Sequence, residues 1–141
     1  MSNSTDRIQA AHIDGRARTP RYIQEQLGRL HKILAKNYKS ICQAVKKDSG
    51  ISSTEVAIEY YLSLASVKAQ YGSIYLKQVL DEEYSLANER DNPSRRIAFG
   101  IAYIVPSTYT LFYSVIASSS AAIAAGNCVI LEVGSHGFAS I

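Results

Sequence analysis

Few side chains in this sequence have both the type and the spacing that chemistry requires. Glu55 and Glu59 are four residues apart, so a helix would place both carboxylates on one face, where they could work as an acid and base pair. Glu55 also stands three residues after Ser52, and this capping-box spacing explains it without catalysis. The pair therefore predicts a helix start more strongly than it predicts an active site.

The other groups that could bind metals or attack a substrate are His12, His31, His136, Cys42 and Cys128. The histidines are far apart in sequence and predict neither a catalyst nor a ligand set. Both cysteines lie inside apolar patterns rather than at a paired spacing, so we interpret them as small buried hydrophobic residues in a reducing compartment. The sequence predicts no metal site.

Composition narrows the classes of partner. Neither Gly-x-Gly-x-x-Gly nor Gly-x-x-x-x-Gly-Lys occurs, so no glycine-rich phosphate cradle is expected. Fifteen basic and twelve acidic residues leave a net charge of +3, spread over short clusters, which argues against nucleic acid. No apolar run reaches the ~18 residues of a membrane span, and the polar start resembles no leader peptide. We expect a cytoplasmic location.

Helices are predicted to occupy the first half of the chain. We expect a disordered arm over 1–18, a helical segment over 19–80 and a polar connector over 81–95. The helical segment begins at Thr19-Pro20, is interrupted at Asn37, and restarts after the Ser52 cap. Its apolar residues recur at helical spacing in two stripes: Ile23, Leu27, Leu30, Leu34, Tyr38, Ile41 and Val45, then Val56, Tyr60, Leu64, Val67, Tyr71 and Ile74.

The last part of the chain predicts a strand, a helix and a strand. The apolar run Ile97–Val105 is typical of a buried strand, and an Ala-rich helix from about Leu111 to Ala125 follows it. Gly126 then ends this helix and Cys128-Val-Ile-Leu131 starts a second buried strand. The fold class is therefore α/β, with N-terminal helices followed by an incomplete Rossmann-like β-α-β unit over 96–141.

Three stretches carry a family resemblance: Gln26-Leu27 in the first stripe, Ile41 to Asp48 before the Glu55 helix, and Gly100 to Leu131. In this order they resemble the N-terminal part of the aldehyde dehydrogenase superfamily, nearest in register to its short, fatty-aldehyde class. In that family a strand leads through a Trp-Asn-aromatic-Pro turn to a helix ending Ala-Ala-Gly-Asn. The 27 positions from Gly100 to Gly126 align with that pattern without a gap.

The resemblance implies NAD(P)-dependent oxidation of aldehydes, yet several positions depart from the family. Register places Tyr109 where the family has the Asn that helps to hold the oxyanion, with Thr108 at the Trp position and Leu111 at the Pro position. Glu132 replaces the Lys that reaches the adenosine ribose, and Ser135 replaces the following Glu. The cofactor contacts that the resemblance implies are thus vestigial: Val105, Pro106, Ser107, Thr108, Glu132 and Ser135.

These departures predict a poor catalyst, because losing one oxyanion donor costs about 10²- to 10³-fold in turnover. A carboxylate at position 132 would repel a 2′-phosphate, so NAD would be preferred to NADP. The family's nucleophilic Cys and general-base Glu come later in the chain than this sequence extends. We therefore expect a truncated relative that is inactive alone and binds no cofactor.

Two alternatives stay open at this point. The helices and the incomplete sheet could form an interaction module that pairs with a second copy, with an aldehyde dehydrogenase subunit or with another polypeptide. The sequence could instead be the start of a longer NAD-dependent enzyme.

Overall fold

The computed structural model describes residues 2–85, 87–90 and 97–132. Six helices dominate this part of the chain: α1 (Ser2–Asp14), α2 (Pro20–Lys36), α3 (Tyr38–Ser49), α4 (Ser53–Gly72), α5 (Leu76–Glu83) and α6 (Leu111–Ala124). Two short strands, β1 (Ile101–Ile104) and β2 (Cys128–Leu131), pair in parallel. The molecule is mostly helical, with a small parallel sheet near its C-terminal end, and the α/β class holds at this coarse level.

The N-terminal region differs from the sequence-based expectation of a disordered arm over 1–18. Residues Ser2–Asp14 form α1, and a 3-10 turn follows at Arg16–Arg18. The helix rests against the sheet. A Cβ on Gly100 would lie only 2.5 Å from Cε1 of the His12 ring, so the ring occupies that space. This long-range packing, rather than local sequence, is what orders a polar segment, so the sequence alone gave no sign of it.

The helical segment begins and breaks where its sequence predicts. Pro20 occupies the first turn of α2, and Asn37 separates α2 from α3 while its side-chain amide donates to the Ile33 carbonyl at 2.8 Å. Ser52 and Glu55 form the predicted capping box: the Glu55 N–H donates to Ser52 Oγ, and the Ser52 N–H donates to Glu55 Oε2. Helix α4 ends at Gly72, and α5 extends the helical region to Glu83. The predicted connector is helical in its first three residues, and residues 86 and 91–95 of it lie outside the described residues.

The predicted strand-helix-strand order is present, with a shorter first strand. β1 is confined to Ile101–Ile104, and its residues pair with β2 from Ile101 opposite Cys128 to Ile104 opposite Leu131. Helix α6 ends in a Schellman motif, since the Asn127 N–H donates to the Ala122 carbonyl while Gly126 takes a φ of 80°. Glycine is favoured there because side chains with a Cβ are strained at positive φ.

A single core joins the helices to the strand-helix-strand unit. Its buried centre is formed by Ile23, Leu27 and Leu34 of α2 with Val67 of α4, and Phe112, Ile116 and Ile123 of α6 pack against this centre. An aromatic cluster extends it, since the Tyr60 ring contacts Tyr38, Tyr61 and Phe112 at centroid distances of 4.8, 5.7 and 6.4 Å. Tyr60 thus has the packing role that its place in the stripe predicts, whereas Tyr71 is 46% exposed.

One side of β1 and of the residues that flank it is exposed among the described residues. Ala98, Ala102 and Ile104 are half-buried on the side of α6, and the alternate residues are exposed. These exposed residues are Ile97, Phe99, Ile101, Tyr103 and Val105, and the Phe99 side chain is 99% exposed. We call these five residues the open sheet face.

Candidate functional site

The predicted cofactor contacts meet at the carboxyl edge of the sheet. Because β1 and β2 are parallel and Ile104 pairs with Leu131, the loop after Ile104 and the residue Glu132 leave the sheet side by side. The Glu132 N–H donates to the Ile104 carbonyl at 3.0 Å, which extends the ladder by one bond. In open α/β sheets, this edge is where ligands bind. Ser135 lies outside the described residues.

The geometry of this edge is open rather than enclosed. Pro106 is half-buried, whereas Val105, Ser107, Thr108 and Glu132 are exposed. The loop is held by Ser107, whose N–H donates to Ser114 Oγ of α6 at 2.9 Å.

Tyr109, at the position where the family resemblance implies an oxyanion donor, has a side chain that is 90% exposed. Its phenol therefore projects into solvent instead of towards a substrate pocket.

Glu59 is a buried charged residue bonded to the start of α6, and its sequence pattern suggested a different role. It is 7% exposed, and its Oε1 accepts a hydrogen bond from the N–H of Tyr113 in the first turn of α6 at 3.1 Å. The carboxylate therefore caps the positive end of α6 from across the core rather than pairing with Glu55. The available signal was its spacing, since Val56, Glu59 and Val67 all lie on the buried face of α4.

The pKa values of three ionisable groups are shifted by their surroundings. The Ser52 hydroxyl, and then the Ser52 N–H, hold the pKa of Glu55 below its ordinary value of 4.5. Burial, followed by the nearby Cys42, raises the pKa of the Tyr60 phenol above 10.0, and its hydroxyl donates to the Leu34 carbonyl at 3.0 Å. For Tyr38, in contrast, the nearby Cys42 is the main cause of the raised pKa. The Ser52–Glu55 bonds cap the start of α4, and the Tyr60 hydroxyl joins α4 to α2.

The cysteines and histidines do not assemble into a reactive centre. Cys42 lies on α3 and Cys128 begins β2; both are free and half-buried rather than fully buried, which is less enclosure than their apolar surroundings predict. Within 2–85, 87–90 and 97–132, no group of three or more His, Cys, Asp or Glu side chains is placed to hold a metal ion. His12 packs on Gly100, His31 lies on α2, and His136 is outside the described residues.

The larger cavity is at the opposite end of the sheet. It has a volume of about 1200 Å³ and is lined by residues that precede the strands, such as Ala98 and Gly126, together with Ile23, Ile74 and Val79. Since the strands begin here, this cavity is separate from the edge that carries Val105 to Thr108 and Glu132. The resemblance assigns it no role.

A second concavity, of about 690 Å³, lies between α2 and α4 and is strongly basic. Its charged side chains are Arg21, Glu25, Arg29, Lys32 and Lys68. They leave a formal excess of three positive charges, as large as the net charge of +3 of the whole chain. One surface therefore carries as much excess positive charge as the whole chain, although the basic residues are scattered in the sequence. We call this surface the basic cleft.

Comparison with protein-family models, with curated proteins and with solved structures finds no match to this chain. In the parts of the chain that the structure describes, no helix is both long and apolar enough to cross a membrane.

Proposed function

We propose that this chain is an aldehyde dehydrogenase-like polypeptide that, on its own, neither oxidises aldehydes nor binds NAD tightly. The proposal includes a Rossmann-like origin for the β1-α6-β2 unit. It also includes a cytoplasmic location, which two free cysteines support.

The β1-α6-β2 unit is the observation that supports the proposed origin. The stretch that resembles the family, Gly100 to Leu131, coincides with a parallel strand-helix-strand unit. The Ala-Ala-Gly-Asn ending has a structural part in it: Gly126 permits the turn, and Asn127 Oδ1 accepts the Gly100 N–H at 2.8 Å. This bond fastens the start of β2 to the start of β1, so a short sheet keeps its register.

Charge at the carboxyl edge supports the proposed lack of NAD binding. In nucleotide-binding α/β units the pyrophosphate lies at a helix N-terminus, where free N–H groups and the helix dipole favour an anion. Here the Glu59 carboxylate already accepts from the first turn of α6. Glu132 adds a second negative charge at the neighbouring strand end, so the cofactor phosphates would meet two carboxylates.

No cysteine that could act as the nucleophile lies among the described residues of this edge. Aldehyde oxidation in this family proceeds through a thiolate and a hydride acceptor held beside it. Cys128 begins β2, at the end of the strand away from Glu132, and Cys42 lies on α3. Neither sulfur lies at the edge where the cofactor would bind.

Restoring the family residue at position 132 tests the proposal. The purified 141-residue chain should show no NADH production with short or long aldehydes and no saturable NAD binding by calorimetry. Glu132→Lys should produce weak, saturable NAD binding, while Asp81→Lys, with the same charge change on α5, should not. Turnover that copurifies with the chain, micromolar NAD affinity, or equal behaviour of the two variants would contradict the proposal.

We infer a second candidate function, self-association, from the open sheet face. Phe99 and Tyr103 offer about 150–250 Å² each and are 99% and 59% exposed, and with the three exposed aliphatic residues the apolar surface is on the order of 600 Å². A stable interface takes about 800 Å² from each partner, so two copies meeting face to face would approach that size. A second copy is the occupant we propose, because its own face is equally apolar.

Light scattering coupled to size-exclusion chromatography tests this second candidate. The chain should elute as a dimer whose fraction rises with concentration, and Phe99→Lys should shift it to monomer. Tyr75→Lys, at an exposed tyrosine outside the sheet, should remain dimeric. A wild-type monomer at all concentrations, or two variants that behave alike, would exclude it.

A further inference from the structure

The basic cleft presents cations from two helices to one volume. Arg21, Arg29 and Lys32 come from α2, and Lys68 comes from α4. The two helices are antiparallel neighbours, since the Tyr60 hydroxyl contacts the Leu34 carbonyl at one end and Gln24 Nε2 donates to the Ile74 carbonyl at the other. The cleft is thus part of a fixed helix pair rather than a loop.

A close approach between the helices shapes the floor of the cleft. Gly28 has no side chain, and the Tyr71 ring lies 3.6 Å from where a Cβ would stand on it. The absence of a side chain at Gly28 therefore lets the edge of the tyrosine ring approach α2 closely. This leaves an aromatic ring, 46% exposed, beside the cations.

The charges in the cleft are only partly compensated. Arg29 pairs with Glu25 on the same helix. Within 2–85, 87–90 and 97–132, Arg21, Lys32 and Lys68 have no carboxylate in salt-bridge range. Three like charges around one concavity repel one another, and an anion placed between them would relieve that repulsion.

We propose that the basic cleft binds a multiply charged phosphate group, carried either by a small soluble molecule or by a lipid headgroup. Arginine forks match phosphate oxygens in pairs, and lysines add point charges around them. The volume of about 690 Å³ falls in the range of small-ligand sites, whereas an extended acidic peptide needs a longer groove. The site is distinct from the carboxyl edge of the sheet and does not depend on the proposed function.

The probe for the test is inorganic tripolyphosphate, titrated into the full chain by calorimetry in 50 mM NaCl. We expect one saturable site. Lys32→Gln/Lys68→Gln should weaken binding at least tenfold, because two charges that face the ligand are lost. Lys39→Gln/Lys47→Gln on α3 removes the same net charge from exposed positions and should change affinity twofold or less.

A second arm distinguishes the sources of the phosphate. Phosphatidylcholine vesicles with and without phosphatidylinositol bisphosphate are sedimented with the chain. Binding only to the phosphoinositide vesicles, displaced by tripolyphosphate and lost in Lys32→Gln/Lys68→Gln, identifies a lipid headgroup. Tripolyphosphate binding without vesicle binding identifies a soluble ligand.

Three outcomes would overturn the proposal. One is the absence of saturable tripolyphosphate binding. Another is an equal loss of affinity in the two double variants, which would indicate diffuse charge attraction. The third is tighter binding of hexaglutamate than of tripolyphosphate, which would indicate an acidic peptide site. Since all four lysines are exposed, thermal unfolding of each variant should match that of the wild type and exclude misfolding as the cause.

Discussion

Glu59 connects two helices that are far apart in the chain through one carboxylate. Its Oε1 accepts the Tyr113 N–H from a position that is 7% exposed. Glu59→Ala should lower the free energy of unfolding by about 1.5–3 kcal/mol, because a buried charge-assisted hydrogen bond is lost. Glu59→Gln keeps an acceptor but loses the charge at the helix end, so we expect about 0.3–1 kcal/mol.

Urea unfolding measures both changes. Glu25→Ala is the control, because its ion pair with Arg29 is on the surface and should contribute well under about 1 kcal/mol. A Glu59→Ala variant as stable as Glu25→Ala would mean that α6 is capped in another way.

Glu55 predicts a local effect of pH at the start of α4. Its folded-state pKa is lowered by Ser52, so the carboxylate contributes stability that is fully present above its ordinary value of 4.5. That contribution is lost as the pH falls below 4.5 and through the lowered folded-state pKa. In an NMR titration the Ser52 amide should therefore shift at a pH below 4.5. In Glu55→Gln, whose side chain caps without titrating, the Ser52 amide shift should be absent; a shift that persists would assign the titration to another group.

At the scale of elements, features set by neighbours in sequence could be predicted and features set by distant contacts could not. The Asn37 break, the Ser52 cap and the Gly126 turn each depend on residues within one helical turn, and all three are present. Helix α1 is different, because its residue His12 contacts Gly100, which is nearly ninety residues later in the chain. No local pattern encodes such a contact.

The packing of α1 on the sheet gives an element-scale prediction. Gly100 has a φ of 121°, and a Cβ there would lie 2.5 Å from the His12 ring. Gly100→Ala should therefore cost more than about 2 kcal/mol, from backbone strain and from displacement of α1. Gly50→Ala is the matched control, since its φ of 67° brings strain while nothing lies within 4 Å of its Cβ.

A double-mutant cycle separates the two causes. His12→Ala removes the imidazole, so His12→Ala/Gly100→Ala should recover the part of the loss that comes from the clash and keep the part that comes from strain. Chemical denaturation of the four proteins measures the coupling. Strict additivity would mean that α1 does not contact Gly100 in solution.

At the scale of the whole molecule, the candidate sites differ in the same way: one could be predicted from the order of its strands, and the others depend on how distant helices pack. Val105 to Thr108 and Glu132 could be grouped in advance, because parallel strands bring their carboxyl ends to one edge. The basic cleft could not, because Lys32 and Lys68 are adjacent only once α2 and α4 pack. The role of Glu59 likewise depends on a partner 54 residues away.

The shared core predicts that the helical segment and the strand-helix-strand unit unfold together. Leu27 is fully buried at the centre of the cluster that also receives Phe112, Ile116 and Ile123 of α6. Leu27→Ala should lower the free energy of unfolding by about 2–5 kcal/mol, the usual cost of lost burial plus a cavity. Because α6 packs on the same centre, circular dichroism of the helices and hydrogen exchange of the β2 amides should report the same loss. The exposed Ile33→Ala on the same helix should change either measurement by less than about 1 kcal/mol. If the β2 amides kept their wild-type protection in Leu27→Ala, the unit would fold without the helices, and the two segments would be separate domains.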